Sequence, residues 1–439
     1  MTKITFLGAG STIFARNVLG DVMCSPALQD ADIALYDISK TRLEESALIL
    51  NAIKKGTGSS ARISSYLGTE NRKAALRGAD FAVNAIQVGG YDPCTIIDFD
   101  IPKKYGLRQT IADTLGIGGI MRTLRTIPVM ESFARDMEEV CPDTLLLNYT
   151  NPMAMLSGFM QRYTGVRTVG LCHSVQGCSE YLLRSLDMED KLDGRRELIA
   201  GINHMAWLLY LYDREGVDLY PEIKRRARAK NKGPKHRDMV RFDYIDKLGY
   251  YCTESSEHNA EYNALYIKSK YPELIESFNI PLDEYPRRCI HQIDEWETQR
   301  ADLMKTDSLP HERTQEYASW IMEAVLTGTP YKIGGNVPNS GLITNLPADA
   351  CVEVPCLVDR SGVTPCYVGK LPPQLAAMNM TNINVQLLTV EAAVTGKKEH
   401  IYHAAMLDPH TSSELSADDI WKMVDDLIEA HGDWLPKYH

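Results

Sequence analysis

A cysteine and a histidine stand side by side in the segment VGLCHSVQG, residues 169–177, directly after a short apolar run. A thiolate and an imidazole can both bind a divalent metal ion, and His204 in GINHMAW offers a further imidazole. The spacing of Cys172 and His204 is not that of a zinc finger, and a free cysteine at a strand end is most often a packing residue. From the residues alone, Cys172 stays open between a buried packing residue, a reactive thiol and one ligand of a metal site.

The N-terminal segment predicts a βαβ unit that binds a dinucleotide. A strand pattern at 3–7 ends in Gly8 and Gly10, a helical pattern follows, and the next strand pattern ends at Asp37. Gly8 permits a tight turn, and Gly10 lets the backbone approach a pyrophosphate at a helix N-terminus. Asp37 is predicted to accept hydrogen bonds from ribose hydroxyls, which favours NAD over NADP. The alternative is an ordinary tight turn, because Ile13 stands where a third glycine is usual.

Three more segments have the pattern of buried strands that run into polar or glycine residues: 79–90, 143–152 and 167–173. Apolar strands that alternate with helical patterns predict a parallel sheet with both faces covered. Ligands bind beyond the carboxyl ends of such strands, and this position selects the following candidates: Gln87, Asn148, Asn151, Cys172 and His173. An asparagine at a strand end can also do no more than satisfy a turn.

The second half of the chain predicts a different mixture of elements. Residues 197–220 contain two β-rich stretches that meet at Asn203 and His204, and residues 248–262 are dense in titratable groups. A strand pattern covers 351–359, and residues 370–432 are amphipathic and helical. We therefore predict an α/β fold with a Rossmann-type, doubly wound parallel sheet in residues 1–195 and an interlocked α+β substrate domain in residues 196–439.

The composition disfavours several classes of partner. The 47 Lys and Arg residues against 58 Asp and Glu residues give a net charge of −11, which disfavours binding to a nucleic-acid backbone. No apolar run approaches the ~18 residues of a membrane span. The N-terminus lacks the apolar core of a secretory signal, and the ten cysteines form no C-x-x-C pair. We therefore expect reduced thiols and a cytoplasmic location.

Six motifs, in this order, resemble those of glycoside hydrolase family 4, the NAD- and Mn-dependent glycosidases: ITFLGAGS, IADTLGIGGIMRTLRTIP, NYTNPMAM, GLCHSVQG, GINHMAW and MLDPHT. The similarity is greatest to the α-galactosidase branch, in which CHSVQ and YYCTESSEHNAEY occur as they do here. The resemblance implies a fold of the lactate and malate dehydrogenase type, NAD and Mn²⁺ as cofactors, and a homodimer or homotetramer.

The resemblance also implies an unusual reaction. Most glycosidases place two carboxylates about the scissile bond, and the NAD-dependent family is an exception. In that family NAD takes hydride from C3 of the sugar, a base removes the C2 proton, the aglycone leaves by elimination, water adds, and hydride returns. A Lewis acid is needed because charge develops on the oxygens at C2 and C3. The implied substrate is a small α-galactoside such as melibiose, with α-glucosidase or α-galacturonidase activity as alternatives.

The resemblance assigns roles to individual residues. Cys172 and His204 are expected to hold Mn²⁺, Asn151 to bind the sugar, and Asp113 to support the base electrostatically. His173 stands where relatives place the acid for the leaving group, or else it orients neighbouring groups. The remaining expectations are a cofactor site formed by Gly8, Gly10, Ser11, Asp37 and Gln87, and a C2 base that is Glu254, with Glu257, His258 and Tyr262 as alternatives.

Two other functions are compatible with parts of the sequence. A 2-hydroxy-acid dehydrogenase has the same layout of its nucleotide domain, and NYTNP and MRTLRTIP would suit a carboxylate-binding Asn and Arg. Such an enzyme consumes NAD and needs no metal, so serine or alanine could replace Cys172. An NAD-binding redox sensor would need a DNA-binding helix pair or a basic face, and this acidic sequence has neither.

Overall fold

The structure is a computed structural model that describes all residues from Met1 to His439. Twelve β-strands form one sheet. Their bounds are β1 (Lys3–Leu7), β2 (Asp32–Asp37), β3 (Arg62–Leu67), β4 (Phe81–Asn84), β5 (Leu145–Asn148), β6 (Arg167–Gly170), β7 (Arg196–Ile202), β8 (Met205–Tyr212), β9 (Tyr251–Cys252), β10 (Tyr331–Pro338), β11 (Cys351–Asp359) and β12 (Gly362–Pro365).

Eighteen α-helices surround the sheet. Their bounds are α1 (Thr12–Cys24), α2 (Lys40–Thr57), α3 (Arg72–Leu76), α4 (Ile96–Lys104), α5 (Gly116–Val140), α6 (Met153–Tyr163), α7 (His173–Gln176), α8 (Cys178–Ser185), α9 (Tyr220–Asn231), α10 (Met239–Lys247), α11 (Ser256–Glu261), α12 (Glu273–Ser277), α13 (Glu284–Leu303), α14 (Tyr317–Thr327), α15 (Pro373–Thr395), α16 (Lys398–Leu407), α17 (Pro409–Glu414) and α18 (Ala417–His431). No helix combines the length and the apolar character that a membrane span requires.

The first six strands confirm the predicted Rossmann-type fold. They are parallel and lie in the order β3-β2-β1-β4-β5-β6, so the direction of winding reverses between β1 and β4. Each predicted strand pattern contains an observed strand, and β2 coincides with the predicted DIALYD. Ligands bind where the winding reverses, beyond the carboxyl ends of the strands. This edge carries the glycine turn after β1 and Gln87 after β4.

The sheet does not stop at the end of the parallel part. β10 pairs antiparallel with β6 at Asn336 and Gly170, and the order continues β10-β11-β7-β8-β9, with β12 beside β11. The predicted strands at 351–359 and on both sides of Asn203-His204 are confirmed as β11, β7 and β8. One hydrophobic core of 74 buried residues runs from β1 to α15. The division into residues 1–195 and 196–439 stays a prediction, because both parts share this sheet and core.

Candidate active site

Three side chains from different parts of the sheet meet at one point. Cys172 follows β6, His204 forms the turn between β7 and β8, and Glu254 follows β9. Their ligand atoms, a sulfur, a nitrogen and an oxygen, all lie within 4.8 Å of one another. His204 is buried, whereas Cys172 and Glu254 are partly exposed. The predicted pair of metal ligands is therefore brought together, and a carboxylate joins it.

A second group shares His204 with the first. Asp113, His204 and His258 also have their ligand atoms within 4.8 Å of one another. His258 Nε2 lies 3.8 Å from Asp113 Oδ1, and His258 Nδ1 lies 3.5 Å from Glu254 Oε1. The imidazole of His258 thus lies between Asp113 and Glu254, while its Nδ1 atom is hydrogen-bonded to Ser255 Oγ at 2.7 Å.

The backbone around this cluster has unusual conformations. Ala112, His204 and Glu254 have φ angles of 53°, 62° and 64°, in the left-handed region that side chains other than glycine rarely adopt. Such conformations cost about 1–3 kcal/mol each and persist where the surroundings determine them, most often at functional sites. The position of His204 and Glu254 is therefore maintained at a cost in stability.

Burial and neighbouring groups shift the pKa values of this cluster in opposite directions. Burial acts to lower the pKa of His204, but the nearby Cys172 and Glu254 outweigh it and raise that pKa to about 10. Burial acts to raise the pKa of Glu254, but His258 and His204 hold it at about 2. No Lys or Arg forms an ion pair with Glu254, whose titratable neighbours within 4.0 Å are these two imidazoles. The sulfur, imidazole nitrogen and carboxylate oxygen of this cluster are donors that fit a divalent transition-metal ion.

Tyr262 orients the imidazole of His204. Its hydroxyl lies 3.1 Å from His204 Nδ1, which leaves Nε2 directed toward Glu254 Oε2 at 3.4 Å. A hydrogen bond from the second ring nitrogen is the usual support of a metal-binding histidine. Burial raises the pKa of Tyr262 well above its usual value, so this hydroxyl stays protonated. Both observations favour a supporting role for Tyr262 over the alternative role of C2 base.

The nucleotide candidates lie together at the carboxyl edge of β1, β2 and β4. A Cβ atom on Gly8, at φ +86°, would stand 2.8 Å from the Ala85 carbonyl oxygen, and one on Gly10 would stand 2.7 Å from Asp37 Oδ2. The Gly10 amide donates a hydrogen bond of 2.6 Å to the same carboxylate. Ser11 at the start of α1 and Gln87 after β4 are both exposed. Only glycine fits this turn, and the N-terminus of the 13-residue helix α1 remains open to an anion.

The two asparagines after β5 differ in their surroundings. Asn148 accepts a hydrogen bond from Asn84 Nδ2 at 2.9 Å and donates one to Ser157 Oγ at 3.1 Å, so its side chain is used inside the fold. Asn151 has a buried Oδ1 atom without a partner. An unpaired buried acceptor costs about 1–3 kcal/mol unless a ligand supplies the donor. Asn151, and not Asn148, therefore has the surroundings of a binding residue.

His173 contacts a carboxylate that sequence reasoning missed. Its Nε2 atom lies 2.6 Å from Glu316 Oε2, and this hydrogen bond raises the pKa of His173. Glu316 stands in a polar stretch without a periodic pattern, so no signal in the sequence connects it with His173.

Glu261 lies in the segment 248–262, which is dense in titratable groups, but the sequence indicated no role for it. Its buried carboxylate accepts hydrogen bonds from the amides of Thr110, Ile111 and Ala112, at 2.7 to 3.3 Å. It therefore holds the loop that presents Asp113.

The comparison with known proteins decides the family. Residues 3–188 match the model described as family 4 glycosyl hydrolase, and residues 199–411 match that of the family 4 glycosyl hydrolase C-terminal domain. An alpha-galactosidase of Bacillus subtilis (strain 168) is 61% identical over 438 residues, which are 100% of this chain and 100% of that protein. The chain belongs to glycosyl hydrolase family 4. It is therefore a glycoside hydrolase, as its motifs predicted.

A further relative supports this assignment, and a solved structure shares the fold. An alpha-galactosidase of Rhizobium meliloti (strain 1021) is 35% identical to this family 4 chain, over 99% of this chain and 89% of that protein. A 6-phospho-alpha-glucosidase from gut microorganisms, solved in complex with NAD and Mn²⁺, shares the fold with a TM-score of 0.80 and 20% identity, and the match covers 100% of both chains. Membership of family 4 favours a glycosidase over the 2-hydroxy-acid dehydrogenase considered from the sequence.

Proposed function

We propose that this enzyme is an α-galactosidase that cleaves small α-galactosides such as melibiose with NAD and Mn²⁺ as cofactors. The observation that carries the proposal is the cluster of Cys172, His204 and Glu254, whose ligand atoms lie within 4.8 Å of one another in a chain with a dinucleotide-type glycine turn. The two relatives at 61% and 35% identity, both named alpha-galactosidases, support the choice of sugar.

Cys172 and His204 would hold Mn²⁺, and the cofactor would lie along Gly8, Gly10, Ser11, Asp37 and Gln87. When bound, NAD and Mn²⁺ supply a temporary oxidation at C3 and polarisation of the sugar oxygens beside it. Asp37 offers the carboxylate that a ribose needs, and its two oxygens also accept hydrogen bonds from backbone amides, Oδ2 from Gly10 and Oδ1 from Ser39. Asn151 Oδ1 is the acceptor for a sugar hydroxyl, since no protein donor reaches it.

Glu254 is the proposed base that takes the C2 proton. It is partly exposed and stands next to His204, and His258 and His204 keep it ionised. Asp113 supports the base electrostatically across His258, whose Nε2 lies 3.8 Å from Asp113 Oδ1 and whose Nδ1 lies 3.5 Å from Glu254 Oε1. Because a carboxylate with a lowered pKa is a weak base, this step depends on the C–H bond being acidified by the ketone beside it.

His173 is the proposed acid that gives a proton to the leaving oxygen. It follows Cys172 directly, its side chain is 56% exposed, and its Nδ1 atom has no protein partner. An imidazole is suited to proton transfer near neutral pH. We further propose a homodimer or homotetramer, which size-exclusion chromatography with light scattering would determine.

The test removes both cofactors from the purified protein and returns them separately. Cleavage of p-nitrophenyl α-galactoside should disappear in excess EDTA and after removal of the nucleotide, and it should return only with Mn²⁺ and NAD together. The matching α-glucoside and α-galacturonide are assayed in parallel, because a higher kcat/KM on either would replace the proposed substrate. Cleavage at the normal rate by the stripped protein would refute the proposal.

A further inference from the structure

We propose that Glu316 is a positioning residue for His173, the proposed acid: its carboxylate binds the ring nitrogen Nε2 and leaves Nδ1 as the nitrogen without a protein partner. The inference rests on the proposed function of His173 as that acid. It concerns the residue that precedes α14, 143 positions after His173, which the sequence analysis did not single out.

The two carboxylate oxygens of Glu316 form hydrogen bonds with different partners. Oε1 accepts hydrogen bonds from the Tyr149 hydroxyl at 2.7 Å and from the Tyr317 amide at 3.0 Å. Oε2 lies 2.6 Å from His173 Nε2. The side chain of Glu316 is only 7% exposed, whereas that of His173 is 56% exposed. The carboxylate is therefore fixed by two donors, and it provides the one hydrogen bond that holds an otherwise exposed ring.

The aromatic neighbours of His173 do not replace this bond. The rings of Phe14, Tyr149 and Tyr317 have centroids 6.2, 5.8 and 6.4 Å from the imidazole centroid. Such contacts restrict the tilt of the ring, but they leave its two nitrogens exchangeable by a flip. A hydrogen-bond partner at one nitrogen is what distinguishes Nε2 from Nδ1.

Glu316 is itself held against the nucleotide-binding unit. Its amide donates to Thr314 Oγ1 at 3.1 Å, and that hydroxyl donates to Asp21 Oδ2 at 2.7 Å. His311 Nε2 lies 2.7 Å from Asp21 Oδ1. Asp21 is fully buried in α1, the helix that follows the glycine turn. The segment before α14 is thus attached to the cofactor helix, and the position of His173 is set relative to that helix.

A single substitution separates positioning from packing. The backbone amide of Tyr317 can only donate a hydrogen bond. In Glu316→Gln it therefore continues to bind the side-chain oxygen of the glutamine, and the glutamine NH₂ group faces His173. Nε2 must then accept a hydrogen bond, and the ring proton moves to Nδ1 of a neutral imidazole, which is a very weak acid. The shape of the side chain is almost unchanged, so loss of packing is not the cause of any effect.

The kinetic test compares a poor and a good leaving group. We expect Glu316→Gln to lower kcat/KM on melibiose by about 100-fold, in the range of general acid catalysis, and to lower it less than about 5-fold on p-nitrophenyl α-galactoside. Tyr149→Phe is the matched control, because it removes the hydroxyl that donates to the other oxygen of the same carboxylate. It should change kcat/KM on both substrates by the same factor. Equal losses on both substrates in Glu316→Gln would overturn the proposal.

A double variant and a spectrum complete the test. Glu316→Gln should cause no further loss in a His173→Ala background, whereas a full additional loss would contradict the proposal. ¹⁵N NMR of the histidine ring, with the His173 signal assigned from His173→Ala, should show the neutral ring protonated at Nε2 in the original protein and at Nδ1 in Glu316→Gln. An unchanged tautomer would overturn the inference. If His173→Ala lowers kcat/KM by the same factor on both substrates, His173 is not the acid and that part of the proposed function fails. The NMR result still decides whether Glu316 determines the tautomer of the His173 ring.

Discussion

His204 Nε2 lies 3.4 Å from Glu254 Oε2, and both residues have the left-handed backbone conformation. The turn between β7 and β8 and the segment after β9 are therefore bent so that the two side chains meet beside Cys172. In the proposed function these neighbouring residues bind the metal ion and transfer the C2 proton. Each role can be tested by a single substitution.

Replacement of Cys172 by serine should weaken Mn²⁺ binding by more than about 100-fold, because even the outer partners of metal ligands contribute 10- to 100-fold. NAD binding should stay within about 2-fold, since the glycine turn is separate from the cysteine. Titration calorimetry with Mn²⁺ and with NAD measures both effects. Cys366→Ser changes an exposed cysteine and serves as the control. Unchanged Mn²⁺ affinity in Cys172→Ser would show that this thiol is not a metal ligand.

Hydrolysis in D₂O should place deuterium at C2 of the released galactose, because the proposed reaction removes and returns the proton there. Glu254→Gln should lower kcat by about 10²- to 10⁴-fold, the contribution of a general base, and abolish the exchange at C2. Glu257→Gln is the comparison, since that carboxylate lies 3.4 Å from Arg288 Nη2. Mass spectrometry and NMR of the product measure the label, and galactose without deuterium at C2 would exclude the elimination route.

Gly10→Ala should weaken NAD binding at least about 10-fold, because the new Cβ would stand 2.7 Å from Asp37 Oδ2 and displace the carboxylate. Gly177→Ala is a suitable control, since its φ is −93° and an added Cβ meets nothing within 4 Å. Fluorescence quenching by NAD measures the affinity of both variants. Equal affinity for NAD in Gly10→Ala and the unaltered protein would contradict the assigned nucleotide site.

A buried ion pair away from the active site should dominate the stability of the helical C-terminal part. Asp98 accepts hydrogen bonds from Arg125 at 2.7 and 3.1 Å and lies 2.9 Å from His431 Nε2. Asp98→Ala would leave the buried guanidinium unpaired and lower the free energy of unfolding by about 3–5 kcal/mol. Urea denaturation checks this value, with Glu131→Gln at an exposed ion pair as a control that changes it by less than ~1 kcal/mol.

The parts of the fold with local signals were predictable from the sequence. The glycine turn, the acid at the end of β2, and β11 at 351–359 each depend on residues that are close in the chain. The turn at Asn203 and His204 was also predictable, because an apolar strand pattern lies on each side of it. Cys172, His204 and Glu254 were named from motifs.

The partners of these residues were not predictable. Glu316 and Glu261 act through hydrogen bonds to segments far away in the sequence. A charged residue in a polar stretch carries no periodicity that indicates its partner, so only the tertiary structure shows it. The continuation of the sheet from β6 to β10 escaped prediction for the same reason, since strand neighbours distant in the chain leave no local pattern.

The pairing of β6 with β10 has a consequence for synthesis on the ribosome. The edge of β6 stays without a neighbour until Tyr331–Pro338 has emerged, although β1 to β6 can already assemble. An unpaired strand edge is a template for wrong association between nascent chains. Slow translation or early truncation between β6 and β10 should therefore promote aggregation and increase the demand for chaperones.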